Sequence, residues 1–188
     1  MNLKINDKIF TSFPNLESER LIFREFKIKD AEDLFFIRSN DEVMEYMDTT
    51  KHNSIKDSEE LISSVHESYK NKNGINWAIV EKSTNSFIGY FGYWRMIPEH
   101  CRAEIGYALK PKYWGKGYMK EALNKLVDFG FNELGLHSIE ANVNINNNSS
   151  IKLLEKKGFI KEAHFRENYL FNGVYLDSII YSLIESNN

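Results

Sequence analysis

The chain carries one cysteine, Cys101, among 188 residues. No internal disulfide can form, a Cys/His zinc site is excluded, and a reducing compartment is expected. Proline is scarce too: Pro14, Pro98 and Pro111 are the full set, and no Gly/Ser-rich stretch divides the chain. One domain over 1–188, with its core at about 16–184, is the expectation. Long apolar runs are missing. Polar and charged residues interrupt the opening MNLKINDKIFTSF, so neither a secretory signal nor a spanning helix is expected; the chain reads as cytoplasmic, with no membrane partner. Charge of one sign is also lacking, with 24 basic against 27 acidic residues, a net of −3. That argues against a protein wrapped in nucleic acid, though not against a local phosphate site. The five histidines show no metal-ligand spacing, so no metal is expected.

What is present is periodicity. Leu21 to Glu25 reads as a first strand, and Asp30 ahead of Leu34, Phe35 and Ile37 as a capped helix start. A short helix follows near Asp41. Leu61, Ile62, Val65 and Tyr69 recur with helical spacing inside 58–72. Trp77–Val80 and Phe87–Trp94 flank the turn-like Ser83, Thr84, Asn85 and Ser86 and read as a hairpin. Arg102–Leu109 is a strand, Gly117–Leu134 a long helix, Ser138–Val143 a strand, and Ser149–Lys157 a helix stopped by Gly158. Phe159–Phe165 and Tyr175–Leu183 are the last two strands. This order predicts an α/β (or α+β) fold with a mixed sheet and helices packed on it.

The segment best suited to an anion is Lys112, Tyr113, Trp114, Gly115, Lys116, Gly117, Tyr118, between a strand end and a long helix. Gly115 and Gly117 let the backbone approach a ligand, and the free N–H groups of a helix start favour phosphate. Lys112 and Lys116 add positive charge. A plain Gly-x-Gly turn explains the same residues structurally. The segment is neither a dinucleotide-binding Gly-x-Gly-x-x-Gly nor a P-loop, because the third glycine and the Gly-Lys-Ser/Thr triplet are absent.

Several ordered motifs share one likeness. Glu104-Ile105-Gly106-Tyr107, Pro111 through Tyr118, Glu121-Ala122-Leu123, Asn147 to Ser150, and Leu154 through Phe159 together resemble the GCN5-related N-acetyltransferase (GNAT) superfamily. Within it, the chain resembles the ribosomal-protein alanine N-acetyltransferase branch. Arg20 to Arg24 at the start and Asn172-Gly173 to Tyr181 at the end also fit. The resemblance covers about residues 16–184. It implies a mostly antiparallel sheet of six to seven strands, splayed between two parallel ones. It further implies acetyl-coenzyme A as co-substrate, with the diphosphate on the backbone from about Trp114 to Met119 and the pantetheine arm along Tyr107, Ala108 and Leu109. Lys112 stands where Gln or Arg is usual and keeps a donor without the fork of Arg. Asn142, Asn147 and Ser150 complete the implied cofactor set. Similar proteins are commonly dimers, so a homodimer is the assembly suggested.

Transfer of an acetyl group from a thioester to an amine needs a base for the ammonium proton, close positioning and a donor for the developing oxyanion. Glu104, among Ala103, Ile105 and Gly106, is the expected base; a solvent-facing strand glutamate, or an ion pair with Arg102 on the sheet surface, is its structural alternative. Glu140 on the next strand is the second candidate. Asn147 and Ser150 can cap a helix or touch the ligand. The resemblance implies Ser150 as proton donor to the thiolate, because Leu154 occupies the position where many relatives carry a tyrosine. The implied acceptor is the N-terminal alanine of a ribosomal protein; a polyamine, an amino acid, an aminoglycoside, or a non-catalytic acyl-coenzyme A-binding role are the alternatives.

Overall fold

A computed structural model describes residues 4–185; residues 1–3 and 186–188 of the expected domain lie outside the described residues. In chain order the elements are β1 (Leu16–Glu17), β2 (Leu21–Arg24), α1 (Ala31–Ser39), α2 (Asp41–Met44), α3 (Ile55–Lys70), β3 (Ile75–Glu81), β4 (Ser86–Ile97), β5 (Arg102–Leu109), α4 (Tyr118–Phe129), β6 (Ser138–Asn144), α5 (Asn148–Lys157), β7 (Ile160–Phe171) and β8 (Val174–Ile184). One eight-stranded sheet runs β1-β2-β3-β4-β5-β6-β8-β7. The expected mixed, mostly antiparallel sheet is present, with one more strand than six to seven. The two-residue β1 is too short to leave a pattern in the sequence.

Alternation along β3 divides the core between two faces. Trp77 and Ile79 pack with Leu123, Leu126 and Val127 of α4, while Ala78 packs with Leu34 and Ile37 of α1 and Ile62 of α3. Helices therefore cover both sides of the sheet. Trp77 meets Phe129 edge to face at 5.4 Å, and each such fully buried side chain contributes about 1.5–3 kcal/mol. The segment before β1 belongs to this core as well. Phe13 lies against Tyr69 and Trp77, and the Trp77 indole N–H donates to the Pro14 carbonyl at 2.7 Å.

Two local expectations change. Asp30 does not cap α1 with its side chain. Its buried carboxylate instead takes both guanidinium nitrogens of Arg24, at 2.6 and 2.8 Å, and the Lys27 amide. β4 runs on past Trp94 to Ile97, and the stretch between Phe165 and Tyr175, left without an element in the sequence, is the meeting end of the β7–β8 hairpin. Among the described residues, no helix is long and apolar enough to cross a membrane.

Candidate active site

The glycine segment folds as a chain of exposed donors. A tight turn over Pro111–Tyr113 leads into Gly115 and Gly117, whose φ values of 70° and 79° are left-handed and favour glycine. The Trp114 N–H donates to the Pro111 carbonyl at 3.0 Å, and the Glu121 N–H to the Gly117 carbonyl at 3.1 Å. Between them the six amides of Gly115 to Lys120 have no acceptor among the described residues. The Trp114 amide, expected among the free donors, is thus occupied, and the Lys120 amide is free. Six free N–H groups at the positive end of α4 fit a diphosphate. The loop is braced from behind by Arg20, which donates to the Lys116 carbonyl at 3.1 Å and to Glu121 at 2.7 Å. Burial alone would push the Glu121 carboxyl up, but the Arg20 amide, the Ser18 hydroxyl and the Arg20 guanidinium hold it below its ordinary value. Lys112 and Lys116 lie near the Tyr113 ring, 4.9 and 5.9 Å from its centroid.

Next to this loop the sheet opens. β5 and β6 pair in parallel only from Arg102↔Ser138 to Glu104↔Glu140. Beyond that, β5 continues along β4 to Leu109 and β6 along β8 to Asn144, so the two strands part. Two cavities of about 650 and 660 Å³ occupy the opening. The first is lined by Tyr107, Ala108, Leu109, Trp114, Gly115, Gly117, Tyr118, Met119, Asn147 and Ser150 among others, so most of the expected cofactor residues share one wall. Glu104 and Asn142 line the second cavity instead, and Lys112 and Lys116 line neither. The Leu109 carbonyl accepts from the Trp114 indole at 2.8 Å, which leaves one of its two acceptor positions open towards the cavity. Asn147 caps α5 by accepting from the Ser150 amide at 3.0 Å.

Tyr46, Met47, Tyr107, Asn147 and Ser150 line both cavities. At that junction the Tyr107 and Ser150 hydroxyls meet at 2.7 Å, bridging β5 to α5. Burial pushes the Tyr107 phenol up to about 12, so it stays protonated at neutral pH. Leu154 is fully buried in the core.

Glu104 is buried, 8% exposed, and burial raises its carboxyl above the ordinary range although Arg95 opposes the shift. Its ion-pair partner is Arg95, at 2.5 Å, and not Arg102. Arg102 instead lies 3.1 Å from Glu140, without the alignment of a hydrogen bond, and Glu140 lines neither cavity. A β-bulge in β4, between Tyr93 and Arg95, sets this arrangement by inserting Trp94 into the register. Four further side chains escaped the sequence reading: Asp48, Asn144, Tyr169 and Arg38. Asp48 accepts from Asn144 of β6 at 3.1 Å and from the Tyr169 hydroxyl of β7, and Arg38 of α1 lines the second cavity. The Asp48 contacts join residues about a hundred positions apart, which no local pattern signals. No group of three or more His, Cys, Asp or Glu among the described residues is placed to hold a metal ion.

Comparison with known proteins agrees with this geometry. The family described as "Acetyltransferase (GNAT) domain" matches residues 20–160. An uncharacterized N-acetyltransferase of Bacillus subtilis, YoaA, is 39% identical over 173 residues, covering 92% of this chain and 98% of its own. The spermidine N(1)-acetyltransferase of Vibrio cholerae is 26% identical, covering 85% of this chain and 90% of its own. The crystal structure of ribosomal-protein-S5-alanine acetyltransferase from Vibrio fischeri superposes with a TM-score of 0.80 at 26% identity, covering 91% of this chain and 96% of that one. Two different acceptors are thus matched at the same identity, so the likeness does not single out the ribosomal-protein alanine branch. The chain belongs to the GNAT family and is an acetyl-coenzyme A-dependent N-acetyltransferase acting on an amine.

Proposed function

We propose that the acceptor is a small primary amine bound in the second cavity, with Glu104 as general base. The observation that carries this reading is the Asp48 bridge to Asn144 and Tyr169. It ties the 45–49 segment to β6 and β7 and walls the cavity of about 660 Å³ into a cup, within the usual range of roughly 300–1,000 Å³ for small-molecule sites. A protein N-terminus would need an open groove in its place.

Acetyl-coenzyme A supplies an activated thioester whose C–S bond breaks as the C–N bond forms. The amides of Gly115 to Lys120 hold the diphosphate and so fix the register of the pantetheine arm. Glu104, directly or through one water, takes the proton that the attacking ammonium must lose; its raised pKa suits that task. The Tyr107–Ser150 pair lies at the junction of the two cavities, where the departing sulfur would come to rest. A thiol titrates near about 8.5, well below a phenol at about 12. The pair therefore stabilises the thiolate by a hydrogen bond, and solvent completes its protonation.

The test is thiol release from acetyl-coenzyme A with a panel of small amines and of peptides beginning with alanine. Small amines are expected to lead, and preference for the peptides would overturn the reading. Glu104→Gln separates an enzyme from a binding module: coenzyme A should bind as before while kcat falls about 10²–10⁴-fold, the range for loss of a general base.

A further inference from the structure

The acceptor-side cavity holds three charged side chains among the described residues, Arg38, Asp48 and Glu104. Two are satisfied by the protein: Asp48 by Asn144 and Tyr169, and Glu104 by Arg95. Arg38 is not. No carboxylate lies within ion-pair distance of it among the described residues. One terminal nitrogen has weak contacts only, with the Tyr90 hydroxyl at 3.5 Å and the Met47 sulfur at 3.9 Å. Its Nε is buried with no hydrogen-bond partner. The neighbouring His52 adds no negative charge, and its ring is held to Ser58 at 2.8 Å.

Arg38 is half-buried, with its Nε closed off from water and unpartnered; a guanidinium so placed normally sits against a carboxylate, and a buried donor left unsatisfied is costly. When the cavity of a transferase contains one, the missing counter-ion is expected on the substrate. We infer that Arg38 is an anion-binding residue, so that the acceptor is an amine bearing a carboxylate or a phosphate. Arg38 enters from α1 and Glu104 from β5, which puts an anion site and the proton acceptor on different walls of one cup. The planar fork of arginine binds either oxyanion through two parallel hydrogen bonds. A polyamine would bring only positive charge to Arg38, and a neutral peptide N-terminus would leave it unpaired. This inference rests on the acetyl-transfer reading above and narrows it.

Matched pairs test it: each common amino acid against its carboxamide, and O-phosphoethanolamine against ethanolamine, with spermidine as the all-cation control. Thiol release gives kcat and KM for each, and the two series distinguish carboxylate from phosphate. One anionic series should exceed its neutral partners by at least about tenfold in kcat/KM, chiefly through KM. In Arg38→Gln that ratio should fall to about one, with Arg38→Lys keeping part of it. Coenzyme A calorimetry on each variant verifies that the fold is intact. Preference for the carboxamides or for spermidine, or a ratio that survives Arg38→Gln, overturns the inference. If no amine releases thiol while coenzyme A binds, the acetyl-transfer reading fails on its own. Calorimetry of the coenzyme A-loaded protein with the anionic amines then decides the anion site: heat lost in Arg38→Gln supports it, while equal heat or none contradicts it.

Discussion

Arg95 reaches Glu104 because β4 carries one residue more than its partner strand at Trp94. Two opposed influences then meet on one carboxyl: burial raises its pKa, and the Arg95 guanidinium and its hydrogen bond pull it back down. The base works only when deprotonated, so activity is lost as pH falls below its pKa, about tenfold per unit. Arg95→Met removes a lowering influence, and the acid limb of the kcat/KM profile should move to higher pH. A pH profile of the variant beside the parent checks this; an unmoved limb would mean that Glu104 is not the group titrating. Neither arginine was visible in the sequence. Arg95 needs the bulge to reach its partner, and nothing in the spacing of α1 sets Arg38, near its end, apart from any other helical arginine.

At the scale of elements, α4 must be seated firmly, because its first turn is the anion cradle. Its far end is keyed to the sheet by Tyr93 of β4, whose buried hydroxyl donates to the Leu126 carbonyl. Gly130 has ordinary helical φ of −59°, so helix propensity alone would make Gly130→Ala favourable by up to about 1 kcal/mol. Contact gives the opposite sign, since an added Cβ would stand 2.3 Å from the Tyr93 hydroxyl and 3.1 Å from Ile139. Gly130→Ala should destabilise by about 1–3 kcal/mol, and Tyr93→Phe in the same chain should recover part of that loss. Denaturant titration of the four proteins measures it, and a stabilised Gly130→Ala would refute this account of the packing. Element types were largely legible from spacing: Leu61, Ile62, Val65 and Tyr69 marked α3, and Gly158 stopped α5. β7 and β8 were read short at the ends that meet in the hairpin. Their shared turn is set by Asn172 and Gly173, both at positive φ, and β7 is mostly exposed, so no burial alternation marks its length.

For the whole molecule, the decisive feature is that one sheet is paired in parallel over three residues and then parts. That opening sets the glycine loop on one side, the Glu104 cup on the other, and the Tyr107–Ser150 contact between them. The loop could be read from sequence because the left-handed φ at Gly115 and Gly117 favours glycine, and the spaced pair marks the turn. The cup could not, because Asp48, Asn144 and Tyr169 meet only when the chain is folded. Acetyl transfer in this fold depends on the amides of Gly115 to Lys120 receiving a diphosphate. Backbone amide NMR of the full chain, titrated with coenzyme A and separately with pantetheine, which lacks the phosphates, measures this most directly. The resonances of Gly115 to Lys120 should shift strongly with coenzyme A and little with pantetheine; equal shifts with both, or shifts confined to other residues, would contradict it.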